Sequence, residues 1–220
     1  MQEPTVFYIA ASFILAYLLG SIPTSVWIGR QFYGEDVRDY GSGNAGATNT
    51  FRVLGKTAGF AVTLLDVLKG MLAAGIANVL VDQLIITPDH RTIYQILLGV
   101  TAIVGHIFPI FAGFRGGKGV ATMVGIILTV QLELAMACAG IFFAVVLFSH
   151  YVSLASIVAS LMFPVLMMFP EFEPGADDYT IAMAFSIFLI VVITHRENIR
   201  RLLDGNERKS YLVPKKVKVG

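Results

Sequence analysis

Residues 4–29 contain no charged side chain, and neither do residues 92–114. Residues 57–81 are interrupted only by Asp66 and Lys69. From Gly119 to Pro170 only Glu133 and His150 break a very long apolar run, and residues 179–194 form a last, short apolar stretch. A helix that crosses a bilayer needs about 20 mainly apolar residues. Several stretches of that length in one chain point to a bundle of membrane helices. Composition agrees: 56% of residues are hydrophobic and 14% charged, with mean hydropathy +0.74. Soluble domains are about 45–50% apolar and about 25% charged. Disorder, a nucleic-acid-binding module and a soluble enzyme are therefore excluded as leading readings. The single cysteine, Cys138, excludes an intrachain disulfide framework and a Cys-based zinc site. No Lys or Arg precedes Arg30, so a cleavable signal peptide, which wants a basic start, is not expected.

The run from 119 to 170 can be divided in two ways. Ser153–Pro170 makes one helix. Residues 119–149 are either one tilted helix or two short ones that meet near Val130-Gln131-Leu132-Glu133. The net charge of +1 hides an asymmetry that chooses between them. With two short helices, Arg30, Arg38, Arg52, Lys56, Arg115, Lys118 and the basic tail all fall on one side. Arg91 then stands among acidic residues on the other, as the positive-inside rule requires. The expected fold is an all-α membrane protein, a seven-transmembrane-helix bundle with its N-terminus outside and its C-terminus cytoplasmic. The fourth and fifth helices are short for a bilayer, so one is expected to tilt, re-enter or be shielded by neighbours. Residues 1–220 read as a single integral-membrane domain, with 210–220 a mobile cytoplasmic extension.

Four segments on the basic side are unlike ordinary loops. Gly41-Ser42-Gly43-Asn44-Ala45-Gly46-Ala47-Thr48-Asn49, followed by Arg52, brings glycines and neutral donors together with a planar cationic fork. Close-spaced glycines let backbone N–H groups converge on an anion, and a guanidinium suits phosphate. Gly41 to Gly46 formally fits G-x-G-x-x-G, but the dinucleotide reading needs a βαβ unit and the flanks here are membrane helices. The second segment, Arg115-Gly116-Gly117-Lys118-Gly119-Val120-Ala121-Thr122, opens a helix whose N-terminus favours anions. It lacks the spacing of a Walker A loop. The third segment, 195–209, begins where the last apolar stretch ends. His195 and Asn198 are three apart, hence on one helical face, and both can bond a hydroxylated substrate. Arg196, Arg200, Arg201, Arg208 and Lys209 read mostly as a solvated, lipid-facing basic collar. The fourth segment, Ser149 to Ser156, carries hydroxyls that commonly bond backbone at membrane helix ends.

Within the apolar stretches, Asp66 and Lys69 form an i,i+3 pair that serves either as structural neutralisation or as support for a site. His106 reads as a hydrogen-bonded bundle residue. No HExxH, no His pair at ligand spacing and no Cys cluster appears, so neither a metal nor a cofactor is expected. Together these features describe a one-sided membrane site for one or two phosphate groups, with an apolar groove for an acyl chain. Acyl transfer from an acyl phosphate needs little more than that. Phosphate is a good leaving group, fixed amides stabilise the oxyanion, and positioning the acceptor hydroxyl supplies much of the rest.

At GSGNAGATN with Arg52, GGKGVAT at 116–122 and HRENIRRLLDGNERK at 195–209, the chain closely resembles the acyl-phosphate-dependent glycerol-3-phosphate acyltransferases of bacteria. With the expected seven-span topology, the resemblance covers essentially the whole chain. It implies transfer of an acyl group from acyl phosphate to the sn-1 hydroxyl of glycerol 3-phosphate, in phospholipid synthesis at the bacterial inner membrane. The products implied are lysophosphatidic acid and phosphate, and acyl-CoA is not expected as a direct donor. By the same resemblance, Ser42, Arg52, Lys118 and Ser156 hold the substrate phosphate, and His195 and Asn198 hold the glycerol hydroxyls. Gly43, Asn44, Gly46, Thr48, Asn49, Gly116 and Gly117 bind substrate, several of them lining the acyl-phosphate site. The family reading also implies that the substrate itself assists deprotonation, and a functional monomer facing lipid is expected. A transporter of a phosphorylated solute is the chief rival. Against it stand the one-sided clustering of the anion-binding elements and the lack of an inverted repeat. The other acyltransferase class, marked by H-x-x-x-x-D, fails at His90, His106, His150 and His195.

Overall fold

The structure is a computed structural model and describes residues 3–209; the expected mobile tail at 210–220 lies outside those residues. Among the described residues every regular element is helical. The chain runs through α1 (Glu3–Gly20), α2 (Thr24–Ile28), α3 (Ala47–Val53), α4 (Lys56–Asp82) and α5 (Arg91–Ile107). It continues through α6 (Val120–Val130), α7 (Leu132–Ser149), α8 (Val152–Met167), α9 (Asp178–Thr194) and α10 (Arg196–Leu203).

Two breaks decide how the apolar stretches are used. The first stretch does not run straight to residue 29. It stops at Gly20 and restarts at Thr24, because Pro23 has no N–H to continue the helix and disfavours helical geometry at Ile22. The second break divides 119–149. Gln131 is extended, with φ −158 and ψ 125, so α6 and α7 are separate helices. Eleven residues make α6 about 16 Å long at 1.5 Å per residue, well short of a bilayer core of about 30 Å. Among the described residues, four helical segments suffice by length and composition to cross a membrane, at Pro4–Tyr33, Lys56–Asp82, Pro88–Ala112 and Leu132–Ser149. A fifth follows if α9 and α10, bent by 62° at His195, count as one.

Polarity is distributed as lipid demands. Asp66, Lys69, Gln95, His106, Thr122 and Ser160 are buried, while Phe7, Leu64, Phe148 and Leu189 point outward. Lipid supplies no hydrophobic drive between helices, so packing depends on close backbone approach. A Cβ at Gly70 would lie 2.1 Å from Thr122 O, and one at Gly125 would lie 2.0 Å from Val67 O. Two glycines thus let α4 and α6 touch backbone to backbone. One apolar core joins α5 to α9 around Ile96, Ile126, Phe163 and Ile187; another joins α1, α4 and α5 around Ala16, Ala73 and Leu98. Asp177 caps α9, its carboxylate accepting from Thr180 N at 2.8 Å.

Candidate active site

The loop before α3 is shaped by Asn49. Its side chain is buried, with Nδ2 donating to Val37 O (2.7 Å) and Tyr40 O (3.1 Å), and Oδ1 accepting from Ser42 N (2.9 Å). This differs from the expectation of a substrate-binding Asn49. The amide is fully engaged in folding the loop, which leaves Ser42, Gly43 and Thr48 exposed and Asn44 half-buried. Gly46 caps α3, and its carbonyl accepts from Asn49 N, Thr50 N and Thr50 Oγ1, so it too is scaffold.

Arg38 clamps this loop to the second one. It pairs with Asp36 at 2.8 Å and donates to Ala112 O (2.8 Å) and Arg115 O (3.3 Å). The Arg38 side chain holds the Asp36 carboxyl well below the usual carboxylate range. Ala45 N adds a bond to Gly116 O at 3.4 Å. The second loop is then seated on the end of α5, Gly116 N donating to Ile107 O and Gly117 N to His106 O, both at 3.1 Å. The expectation that these two amides face a ligand is therefore corrected. What the glycines supply is close approach: a Cβ at Gly116 would lie 1.9 Å from His106 O, and one at Gly117 would lie 2.2 Å from His106 Nε2. The amides available to an anion are those of Val120, Ala121 and Thr122, in the first turn of α6, ahead of the first helical bond from Met123 N to Gly119 O.

From that seat Lys118 reaches across to α10, where its Nζ donates to Asn198 Oδ1, while its carbonyl lies 3.4 Å from Thr194 Oγ1. Asn198 Nδ2 donates to Glu207 Oε1 (2.6 Å), which also accepts from Ser153 Oγ (2.8 Å); Glu207 Oε2 accepts from Arg201 Nε at 2.7 Å. Burial by itself would raise the Glu207 carboxyl, but its bonds from Asn198, Ser153 and Arg201 outweigh that and hold it low. Arg52 on α3 lies within electrostatic reach of Arg208, Glu207 and Arg201. Burial, and then the Arg201 charge, push the Lys118 ammonium down to about 8. Arg52, Lys118 and Arg201 thus lie around one carboxylate, an excess of positive charge that suits a phosphate dianion.

His195 sits at the bend between α9 and α10. The bend of 62° falls at His195 itself, which caps α10 and whose carbonyl accepts from Ile199 N at 2.8 Å, so His195 and Asn198, three apart, share the first turn of α10. The His195 ring is buried, and its Nδ1 lies 2.9 Å from Val191 O. A carbonyl only accepts, so Nδ1 carries the proton and Nε2 remains an acceptor. Burial, then Lys118, lower its pKa to about 4, which keeps the ring neutral near pH 7. Ser156 is buried and donates to Val152 O at 2.9 Å, so its neighbour Ser153 is the hydroxyl that joins the cluster. Of the residues expected in a basic collar, Arg196 and Arg200 have side chains that are 79% exposed, whereas Arg201 is bound to Glu207 at 2.7 Å. Gly205, with φ +70, turns the chain at the end of α10 and returns Glu207 and Arg208 to the site. That glycine is the signal through which sequence reasoning could have found Glu207.

The glycerol-3-phosphate acyltransferase family model matches residues 10–205. The chain belongs to the glycerol-3-phosphate acyltransferase family. A glycerol-3-phosphate acyltransferase of Fusobacterium nucleatum is 43% identical over 198 residues, covering 89% of this chain and 95% of the relative. One from Listeria monocytogenes is 44% identical over 196 residues, covering 89% and 93%. The crystal structure of PlsY (YgiH), an integral membrane glycerol 3-phosphate acyltransferase, matches in its glycerol 3-phosphate form with TM-score 0.79 and 36% identity, over 92% of this chain and 96% of that one. Its lysophosphatidic acid form matches with TM-score 0.77 at the same identity. This chain therefore shares the integral-membrane fold of the family.

Proposed function

We propose that this protein transfers an acyl group from acyl phosphate to the sn-1 hydroxyl of glycerol 3-phosphate. The observation that carries the reading is the joining of Lys118, Asn198, Glu207 and Arg201 with Arg52 at one end of the bundle, in a chain of this family. Ser42, Arg52 and Lys118 hold the phosphate of glycerol 3-phosphate, with Ser156 or its neighbour Ser153 closing that pocket. His195 accepts from a glycerol hydroxyl through Nε2, and Asn198 steadies both that substrate and Lys118. The acyl phosphate lies between Gly43, Asn44 and Thr48 on one loop and the first turn of α6 on the other.

The hydroxyl oxygen attacks the acyl carbonyl carbon, and the bond between that carbon and the bridging oxygen breaks. Inorganic phosphate leaves, and lysophosphatidic acid remains. The hydroxyl proton passes to the substrate's own phosphate, so no strongly basic side chain is needed. Amides at the α6 N-terminus stabilise the oxyanion. The acyl chain enters sideways from lipid. The site faces the cytoplasm of a bacterial inner membrane, the helices make seven spans with the N-terminus outside, and the monomer is the working unit. The charge asymmetry supports this orientation, because the site end carries nearly all the cations.

Purified protein in detergent, given acyl phosphate and glycerol 3-phosphate without metal or CoA, forms lysophosphatidic acid on this reading. No product under those conditions, with flux of a phosphorylated solute into proteoliposomes, would establish the transporter instead.

A further inference from the structure

The mechanism above leaves unused a set of buried polar groups in the middle of the bundle. Asp66 Oδ1 pairs with Lys69 Nζ at 2.8 Å and accepts from Thr24 Oγ1 at 2.7 Å. Lys69 Nζ also donates to Ile22 O at 2.9 Å, where α1 gives way to α2. A self-neutralising i,i+3 pair would be complete without further partners. This pair extends to a third helix, since His106 Nδ1 lies 3.7 Å from Asp66 Oδ1 and 3.4 Å from Thr122 Oγ1. The opposite ring edge is the one that meets Gly117, the point where a Cβ would come within 2.2 Å of Nε2. The His106 carbonyl holds Gly117 N on the same side. One residue therefore touches the charged network through one nitrogen and the Gly116–Gly117 loop through the other.

We propose that His106, anchored by Asp66 and Thr122, is a positioning residue that seats the Gly116–Gly117 loop and thereby fixes Lys118 for the phosphate of glycerol 3-phosphate. The inference rests on the acyl-transfer reading for the role of Lys118, and on geometry alone for the seating. Lys118 is the next residue after Gly117, whose amide bond to His106 O is the last anchor of this loop on α5 among the described residues. Displacing the loop from His106 moves the ammonium away from Asn198. It also loosens Ala45, which is bonded to Gly116, so both glycine-rich loops respond to the same ring. Intramembrane ionisable groups are retained where they serve such a purpose.

Two amide substitutions separate the ring's two edges in the full-length protein. His106→Gln places an amide where Nε2 stands, beside Gly117. His106→Asn places one where Nδ1 stands and leaves the space beside Gly117 empty. Hydrogen exchange of the 113–119 segment should quicken in His106→Asn and stay near wild type in His106→Gln. The KM for glycerol 3-phosphate should rise about tenfold or more in His106→Asn, with a smaller change in kcat, and stay within about threefold in His106→Gln. Equal exchange and equal kinetics in the two variants, or better function in His106→Asn, would overturn the proposal. The doubly neutral Asp66→Leu/Lys69→Met protein leaves no buried charge unpaired. It should show the same quickened exchange, and full protection would remove Asp66 from the account. If the wild-type protein carries out no acyl transfer, the functional reading falls while the exchange comparison still decides the seating.

Discussion

Replacing Lys118 by Met should make the protein more stable and far less active. Burial and the neighbouring Arg201 charge lower the Lys118 pKa from 10.5 to about 8. A lysine with a lowered pKa binds its proton more weakly in the folded state than in the unfolded chain. The charge therefore opposes folding at neutral pH, and that opposition fades as pH rises from about 8 toward 10.5. One pKa unit corresponds to about 1.4 kcal/mol, so the shift amounts to roughly 3 kcal/mol. Losing the contact to Asn198 offsets about 1 kcal/mol of that. Lys118→Met should then gain about 2 kcal/mol, a rise of roughly 4–8 °C in Tm on the scale of a domain this size. Its activity should move the other way. A charge-assisted bond to phosphate contributes about 1.5–3 kcal/mol, so kcat/KM for glycerol 3-phosphate should fall roughly ten- to a hundredfold. Thermal unfolding in detergent and a glycerol 3-phosphate titration read both quantities from one preparation. A lower Tm, or kcat/KM within about threefold of wild type, would refute the reasoning.

The pH profile should carry the same signature. Only the protonated Lys118 attracts phosphate, so kcat/KM for glycerol 3-phosphate should decline as pH rises through about 8. Lys118→Arg should move that decline upward, because a guanidinium stays charged; an unmoved decline would assign it to another group. His195, held neutral down to about 4, should contribute no loss between pH 7 and pH 5. A fall with a midpoint near 6.5 that His195→Ala abolishes would contradict its buried state. Arg201→Gln should weaken glycerol 3-phosphate use roughly tenfold, since Arg201 holds Glu207 and adds charge beside Lys118. Arg200→Gln, one residue away, loses only an exposed 3.9 Å contact to Asp204 and should leave kinetics near wild type. Similar losses in the two would return Arg201 to the lipid-facing collar.

The helical architecture was legible because uncharged runs and bilayer thickness leave few alternatives. The division near Gln131 was also within reach, through the sorting of Arg and Lys between the two ends. The site was legible in part. Lys118 and Asn198, 80 residues apart, meet as their glycine-rich and basic surroundings suggested. Other assignments failed for one physical reason: local pattern shows what a residue can bond, and tertiary packing decides what it does bond. Asn49 looks like a donor to a ligand, yet Val37 and Tyr40 carbonyls take both its N–H groups. Gly116 and Gly117 look like anion-binding amides, yet the end of α5 claims them. Arg201 looks like its exposed neighbour Arg200, and only the turn at Gly205, which brings Glu207 back to within 2.7 Å of Arg201, separates the two. Composition alone does not place an acidic residue such as Glu207 in a phosphate site. Its role is to hold Ser153, Asn198 and Arg201 in place.

The most direct test of the account follows the acceptor oxygen through the reaction. Glycerol 3-phosphate bearing a heavy-oxygen label at the sn-1 hydroxyl is incubated with acyl phosphate and the purified protein, and both products are weighed by mass spectrometry. Attack by that hydroxyl on the acyl carbon predicts that the label stays in the ester of lysophosphatidic acid and that the phosphate released is unlabelled. Label in the released phosphate, or product formed equally from acyl-CoA, would contradict acyl transfer from acyl phosphate at the Lys118 site.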